Sequence, residues 1–121
     1  HNARTNFQDL EAAKARGAKY DGVYIYTRSG EHGVQLTRAL GDADLDSILS
    51  REPETYSVEL GKGSFVLVGS DGLFDPTHQL TSEPMDRLVT LIDSGAAAED
   101  LVGDALNRKT GDNATAILWR Y

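Results

Sequence analysis

The chain has 121 residues, of which 40% are hydrophobic, no cysteine, and a formal net charge of −7. That length suffices for one compact domain with a buried core. The lack of cysteine excludes disulfides, thiolate zinc sites and cysteine nucleophiles, and it fits an intracellular, cytoplasmic protein better than a secreted one. The acidic balance argues against a nucleic-acid partner, because such proteins neutralise phosphates with Lys and Arg. No apolar run approaches the roughly 20 residues of a membrane span, so no membrane partner is expected.

In chain order, Asn6 to Gly17 reads as a short helix. Phe7, Leu10 and Lys14 are spaced three to four apart, Asn6 can cap, Asp9 lies in the first turn and Gly17 can terminate. Val23 to Thr27 is β-branched and aromatic, a loop-like stretch runs from Arg28 to Gly33, and Val34-Gln35-Leu36 resumes an extended pattern, which together predict a hairpin or flap. Asp42 to Arg51 carries Leu45, Ile48 and Leu49 at helical spacing and predicts one or two helical turns. Tyr56, Val58 and Leu60 alternate with polar residues, the period of a strand with one buried face.

Gly61-Lys62-Gly63 predicts a turn into Phe65-Val66-Leu67-Val68, whose unbroken apolar character predicts a central strand covered on both faces. Ser82 can cap a helix with a stripe of Met85, Leu88, Val89 and Ile92 ended by Gly95. A second helix follows with Ala98, Leu101, Val102, Ala105 and Leu106 on one face, and a final strand runs from Ala114 to Tyr121.

Two aspartates stand out against this background: Asp71 in Ser70-Asp71-Gly72-Leu73-Phe74-Asp75, and Asp112 in Gly111-Asp112-Asn113-Ala114-Thr115. Either motif alone reads as a turn, since glycine permits positive φ and aspartate accepts from nearby backbone amides. Together they read differently. The two intervening helices return the chain to the same sheet edge, so both carboxylates are expected at strand ends converging on one point. Carboxylates about 4 Å apart repel by about 4 kcal/mol at an effective dielectric of 20, so such a pair calls for a cation or a proton. Oxygen donors without thiols favour Mg²⁺ or Mn²⁺ over Zn²⁺.

Other sites fail on spacing. Asp42-Ala43-Asp44-Leu45-Asp46 begins like a calcium loop but has Ser47 at the sixth position and Pro53 at the twelfth. Val68 stands where a hydrolase elbow needs glycine, and Gly61-Lys62-Gly63-Ser64 leads into a strand where a phosphate loop needs a helix. His1, His32 and His78 lack ligand spacing and read as lone loop or surface histidines.

Four segments in order, Leu36-Thr37-Arg38-Ala39-Leu40-Gly41-Asp42, Glu52-Pro53-Glu54, Ser70 to Asp75 and Gly111 to Thr115, make the chain resemble the C-terminal half of the metal-dependent Ser/Thr protein phosphatases, the type 2C family. His1 and the helix ending in Ala15-Arg16-Gly17 extend the resemblance over almost the whole chain. It implies an α+β fold, part of an α-β-β-α sandwich with mostly antiparallel sheets, with residues 1–121 as the C-terminal portion of a catalytic domain. It also implies a two-metal Mn²⁺ or Mg²⁺ centre in which Asp71 and Asp112 are ligands and Asp75 assists a third, loosely held ion. Arg38 and Asp42 are implied to brace the sheet edge, and residues 20–34 to form the flap that influences substrate access.

The implied activity is hydrolysis of phosphoserine and phosphothreonine in phosphoprotein substrates by a metal-activated water, with no phosphoenzyme. The family's N-terminal acidic ligand, its Asp-Gly-His-Gly-Gly segment and its phosphate-binding arginine have no counterpart among these residues. The isolated chain is therefore expected to be catalytically incomplete. Starting at His1 without an initiator methionine, it reads as a processed, truncated or excised piece. An exposed inner sheet face is expected to associate with a second copy or with the missing N-terminal half. The alternative is a pseudophosphatase-like domain that keeps the fold for protein binding, with its aspartates serving only as turn residues.

Overall fold

A computed structural model describes residues 1–77 and 79–121, so the reading of His78 lies outside the described residues. The chain divides into two compact units, His1–Tyr56 and Ser57–Tyr121. Each combines helices with an antiparallel sheet, which makes the class α+β. Among the described residues no helix is long and apolar enough to cross a membrane.

In the first unit, α1 spans Phe7–Ala15. The Asn6 side chain accepts from the Asp9 amide at 3.0 Å, and Gly17 adopts φ 102° just past the helix end. The buried face is Asp9, Leu10 and Ala13, while Phe7, expected on the apolar face, is exposed. A three-stranded antiparallel sheet follows: β1 (Lys19–Tyr20), β2 (Ile25–Tyr26) and β3 (Gly33–Val34), in that order. The strand expected from Val23 starts only at Ile25. The Asp21 carboxylate accepts from the amides of Val23 and Tyr24 at 2.8 and 2.7 Å and bends that stretch into a turn. Ala43–Leu45 forms one 3₁₀ turn, and Leu45, Ile48 and Leu49 join Ala3, Leu10, Ala13, Ala18 and Ile25 in the core.

A buried carboxylate ties this unit together. Asp9 accepts from Arg38 through Nε at 3.0 Å and Nη2 at 2.7 Å, from the Thr37 hydroxyl at 3.3 Å, and lies 2.6 Å from His1 Nδ1. Arg38 also donates to the Glu52 carbonyl and pairs with Glu54 at 3.0 Å. The hydrogen bonds from Arg38 hold the Asp9 carboxyl below the usual aspartate range although burial pushes it up, and Arg38 is raised in turn. Arg38, implied by the resemblance to brace the sheet edge, here joins α1 to the stretch at Glu52 and Glu54. Asp42 differs: it sits in the left-handed region at φ 50°, and its carbonyl, 3.4 Å from Arg51 Nη2, takes part in the turn.

The expected strand around Tyr56, Val58 and Leu60, where the first unit gives way to the second, is absent. Residues 51–61 have no regular structure, and Tyr56 and Val58 are 86% and 67% exposed. Alternation encodes a strand only where a partner completes its ladder, and none does so among the described residues. The Gly61–Ser64 turn, closed by Ser64 N–H donating to Gly61 O at 2.9 Å, leads into β4 (Phe65–Gly69). Strand β4 pairs antiparallel with β5 (Ala116–Arg120) from Phe65↔Arg120 to Gly69↔Ala116.

Between them lie α2 (Asp71–Phe74), α3 (Glu83–Asp93) and α4 (Ala98–Asn107). Gly95 ends α3 in the left-handed region, with the Ala96 amide donating back to Leu91 O, while Arg120 donates to the Ile92 and Ala96 carbonyls at 3.0 and 2.8 Å. Ser82 occupies the cap position of α3 but makes no capping hydrogen bond. The buried stripe runs through Pro84, Leu88 and Ile92, leaving Met85 and Val89 exposed. On α4 the buried residues are Leu101 and Ala105, and Leu106 is exposed. Helix α3 is pinned to α4 by Arg87–Asp104 and Glu83–Arg108 pairs. The hydrogen bonds from Arg87 lower the Asp104 carboxyl, with burial opposing.

Contrary to the expectation for an unbroken apolar run, β4 is covered on one face only within the second unit. Phe65, Leu67, Ala116 and Leu118 pack on the core of Leu73, Leu88, Ile92, Leu101 and Ala105. Val66, Val68, Ile117 and Trp119 point the other way, with Val68 58% and Ile117 64% exposed. The β4–β5 ladder has two strands, and its helices lie on the Phe65–Leu67 side.

Two predictions follow from the Arg–Asp pairs. Asp9→Asn removes the charge that holds Arg38 and His1, so hydrogen-exchange protection of the Ala3 and Thr37 amides, which bond to Gln35 O and His1 O, is expected to fall at least about tenfold. Asp9 and Asp104 are both depressed in the folded state, so their stabilisation is complete above the ordinary aspartate pKa and is lost as pH falls through the lowered values. Denaturant midpoints should therefore be flat from pH 7 to about 5 and decline below about 4.

Candidate metal centre

The two aspartate motifs meet at one end of the β4–β5 pair. The register places Gly69 opposite Ala116, so the chain leaving β4 and the chain entering β5 run side by side. Ser70 N–H donates to Thr115 O at 3.2 Å, and the Ser70 hydroxyl donates to Asn113 O at 2.7 Å while accepting from Thr115 N–H at 3.1 Å. This serine, set aside as a nucleophile, is the clasp between the motifs. Its signal in the sequence was its place directly before Asp71, but its partners lie more than forty residues away.

Glycines make the approach possible. A Cβ on Gly72 would lie 2.6 Å from Asn113 O and 3.2 Å from the Asp112 carbonyl carbon, so the Asp71-Gly72 backbone rests directly on the Asp112-Asn113 peptide. A Cβ on Gly69 would meet Leu73 Cδ2 at 2.6 Å and Thr115 O at 2.7 Å. The backbones of the two motifs thus touch at this end of the ladder.

The carboxylates differ in their engagements. Asp71 Oδ1 accepts from the Gly72 amide at 3.0 Å, and Asp112 Oδ1 from the Asn113 amide at 2.7 Å. Asp75 is half-buried at the end of α2, where its carboxylate accepts from the amides of Gln79 at 2.9 Å and Leu80 at 3.2 Å. Leu80 sits at φ 55°, so Asp75 closes a strained loop. Among the described residues no Lys or Arg forms an ion pair with Asp71, Asp75 or Asp112.

This donor set, hard oxygens uncompensated by protein cations, fits Mg²⁺ or Mn²⁺ in kind. It falls short in number: among the described residues no three His, Asp or Glu side chains form a group able to hold a metal ion.

The sequence profile of the protein phosphatase 2C family matches residues 14–114, most of the chain, and the chain belongs to that family. Among its relatives, the probable protein phosphatase 2C 44 of Oryza sativa subsp. japonica is 34% identical over 89 residues, covering 73% of this chain and 27% of the rice protein. Protein phosphatase 2C homolog 1 of Schizosaccharomyces pombe is 34% identical over 87 residues, covering 70% and 24%. The probable protein phosphatase 2C 27 of Arabidopsis thaliana is 29% identical over 127 aligned positions, covering 98% of this chain and 32% of that protein. The chain thus spans about a quarter to a third of the length of these relatives. No solved structure matches the chain.

The close approach at Gly72 makes a steric prediction. Gly72→Ala should cost about 1–3 kcal/mol, because the methyl group meets backbone that cannot swing away. Gly103→Ala, inside α4 with nothing within 4 Å of the added Cβ, should stabilise by about 0.5–1 kcal/mol. Urea unfolding followed by Trp119 fluorescence, which reports on the second unit, reads both; equal effects would contradict the seating of the two motifs.

Proposed function

We propose that this chain is part of a metal-dependent protein phosphatase that hydrolyses phosphoserine and phosphothreonine in cytoplasmic phosphoproteins. The observation that carries the reading is the seating of Asp71-Gly72 on Asp112-Asn113 in a chain of the protein phosphatase 2C family. Asp71 and Asp112 would hold Mn²⁺ or Mg²⁺, and Asp75, now bonded to the Gln79 and Leu80 amides, would assist a further ion. When bound, such ions neutralise charge on phosphoryl oxygens and bring the pKa of water toward neutrality. The chain's own contribution is positional. The ladder fixes the backbone of both motifs, and the amides of Gly72 and Asn113 each orient one carboxylate oxygen.

The remaining ligands belong, in this reading, to the rest of the phosphatase domain, which the relatives' greater length can supply. The same remainder is the occupant we propose for the open face of Val66, Val68, Ile117 and Trp119. A second copy of the chain is the competing occupant.

Two measurements test this. In the full-length protein, Asp71→Asn and Asp112→Asn should each lower Mn²⁺-dependent hydrolysis of p-nitrophenyl phosphate by about 100-fold or more, and Asp75→Asn should lower it less. An unchanged rate for Asp71→Asn or Asp112→Asn would remove the metal assignment. In the 121-residue chain, Val68→Lys and Ile117→Lys should abolish binding of a separately added N-terminal half, followed by sedimentation, whereas loss of concentration-dependent self-association instead would favour the second copy. A wild-type chain that stays monomeric at all concentrations and binds no added N-terminal half would leave the open face without an occupant.

A further inference from the structure

Ser70 stands at the N-cap of α2 in extended backbone, φ −84° and ψ 168°, where a serine ordinarily accepts from an amide of the first helical turn. Among the described residues it makes no such cap. Its Oγ crosses to the other motif instead, donating to Asn113 O at 2.7 Å and accepting from Thr115 N–H at 3.1 Å. With Ser70 N–H donating to Thr115 O at 3.2 Å, three hydrogen bonds join this one residue to positions 113 and 115.

These bonds carry the alignment past the end of the ladder. Its last rung is Gly69↔Ala116, and beyond that rung one chain runs on to Asp71 while the other arrives from Asp112. Asp112 is exposed and lightly restrained: its amide donates to Thr110 Oγ at 3.3 Å, and its carboxylate accepts from Asn113 N–H. Asn113 is therefore the residue through which Asp112 is held, and the hydroxyl of Ser70 holds Asn113.

We propose that Ser70 is a positioning residue for the metal centre, its hydroxyl fixing Asp112 relative to Asp71 and thereby setting the affinity for the divalent cation. This role rests on the one proposed above for the two aspartates. Ligands from distant parts of a chain bind tightly only when the backbones that carry them keep a fixed separation, and outer groups that orient ligands govern affinity by about 10- to 100-fold. Ser70 Oγ is itself engaged by Asn113 and Thr115, so it acts through them and supplies no ligand atom. The fold depends on it less. Asn113 and Thr115 are exposed, so water can replace Oγ as their partner, and the Ser70 N–H bond to Thr115 O needs no side chain. Water would satisfy these groups without aligning them.

In the full-length protein, Ser70→Ala removes the hydroxyl and Ser70→Thr keeps it in extended backbone that accepts a β-branched residue. Binding of Mn²⁺ is read from the electron paramagnetic resonance signal of the free ion, and stability from thermal unfolding by circular dichroism. Ser70→Ala should weaken Mn²⁺ binding about tenfold, with a thermal midpoint within about 3 °C of wild type. Its hydrolysis of p-nitrophenyl phosphate should need about tenfold more Mn²⁺ yet reach a rate within about twofold of wild type at saturation. Ser70→Thr should bind Mn²⁺ within about twofold of wild type.

Asp71→Asn and Asp112→Asn, measured alongside, should each weaken Mn²⁺ binding by about 100-fold or more. If both bind Mn²⁺ as wild type does, the metal reading itself falls and the role of Ser70 with it. If both lose binding while Ser70→Ala retains it, the role of Ser70 alone is overturned. A Ser70→Thr protein as weak as Ser70→Ala overturns that role too, and so does a Ser70→Ala protein that loses Mn²⁺ only together with its fold.

Discussion

The antiparallel pairing of β4 with β5 is the constraint from which the acidic end of the second unit takes its geometry. It closes a long excursion of chain, since Ser70 and Asn113 are 43 residues apart, and loop closure on that scale is an entropic cost that local contacts do not offset. The compensation comes from α3 and α4, whose Leu88, Ile92, Leu101 and Ala105 pack with Leu73 and with the covered face of the ladder. With the helices seated, the last rung, Gly69↔Ala116, brings the two motifs into register and the Ser70 hydroxyl locks them. Removing a side chain at positions 69 and 72 is what lets the backbones touch.

Asp9 and Asp104 differ from Asp71 and Asp112 in what engages their carboxylates. Asp9 and Asp104 each meet an arginine fork, and their carboxyls are lowered accordingly. They serve the fold: one gathers the N-terminal segment, α1 and the stretch around Arg38, and the other ties α3 to α4. Among the described residues, the carboxylates of Asp71 and Asp112 have only the amide of the following residue. It is this difference that the proposed metal role rests on. Asp75 stands between the groups, with its carboxylate already spent on two backbone amides of a strained loop.

Local signals were legible where a local cause decides the structure. Asn6 capping α1, Gly95 ending α3, the Gly61–Ser64 turn and the convergence of the two motifs all depend on residue type at a fixed offset or on short connections. What could not be read is non-local. The run from Phe65 to Val68 is equally apolar whether one face is covered or two, because its composition carries no record of which elements arrive. Tyr56, Val58 and Leu60 have the period of a strand but no ladder to join among the described residues. Asp9 shows in the sequence only as an acid in the first turn of α1, and the side chains that bury it come from His1, Thr37 and Arg38.

The open side of the ladder bears on the acidic end through the strands they share. Val66, Val68, Ile117 and Trp119 present branched and aromatic surface of the kind that contributes about 1.5–3 kcal/mol per side chain when fully buried, and Trp119 already stacks toward Tyr121 at 5.7 Å between ring centroids. Val68 stands only two residues before Ser70, and Ile117 two residues after Thr115. A sheet that covers this face is therefore held in a fixed relation to Asp71 and Asp112, because the rungs Val68↔Ile117 and Gly69↔Ala116 are consecutive. In the proposed reading, burying the face and supplying further oxygen donors to the acidic end would be parts of one packing event, because the strands that carry the open face also carry the two motifs.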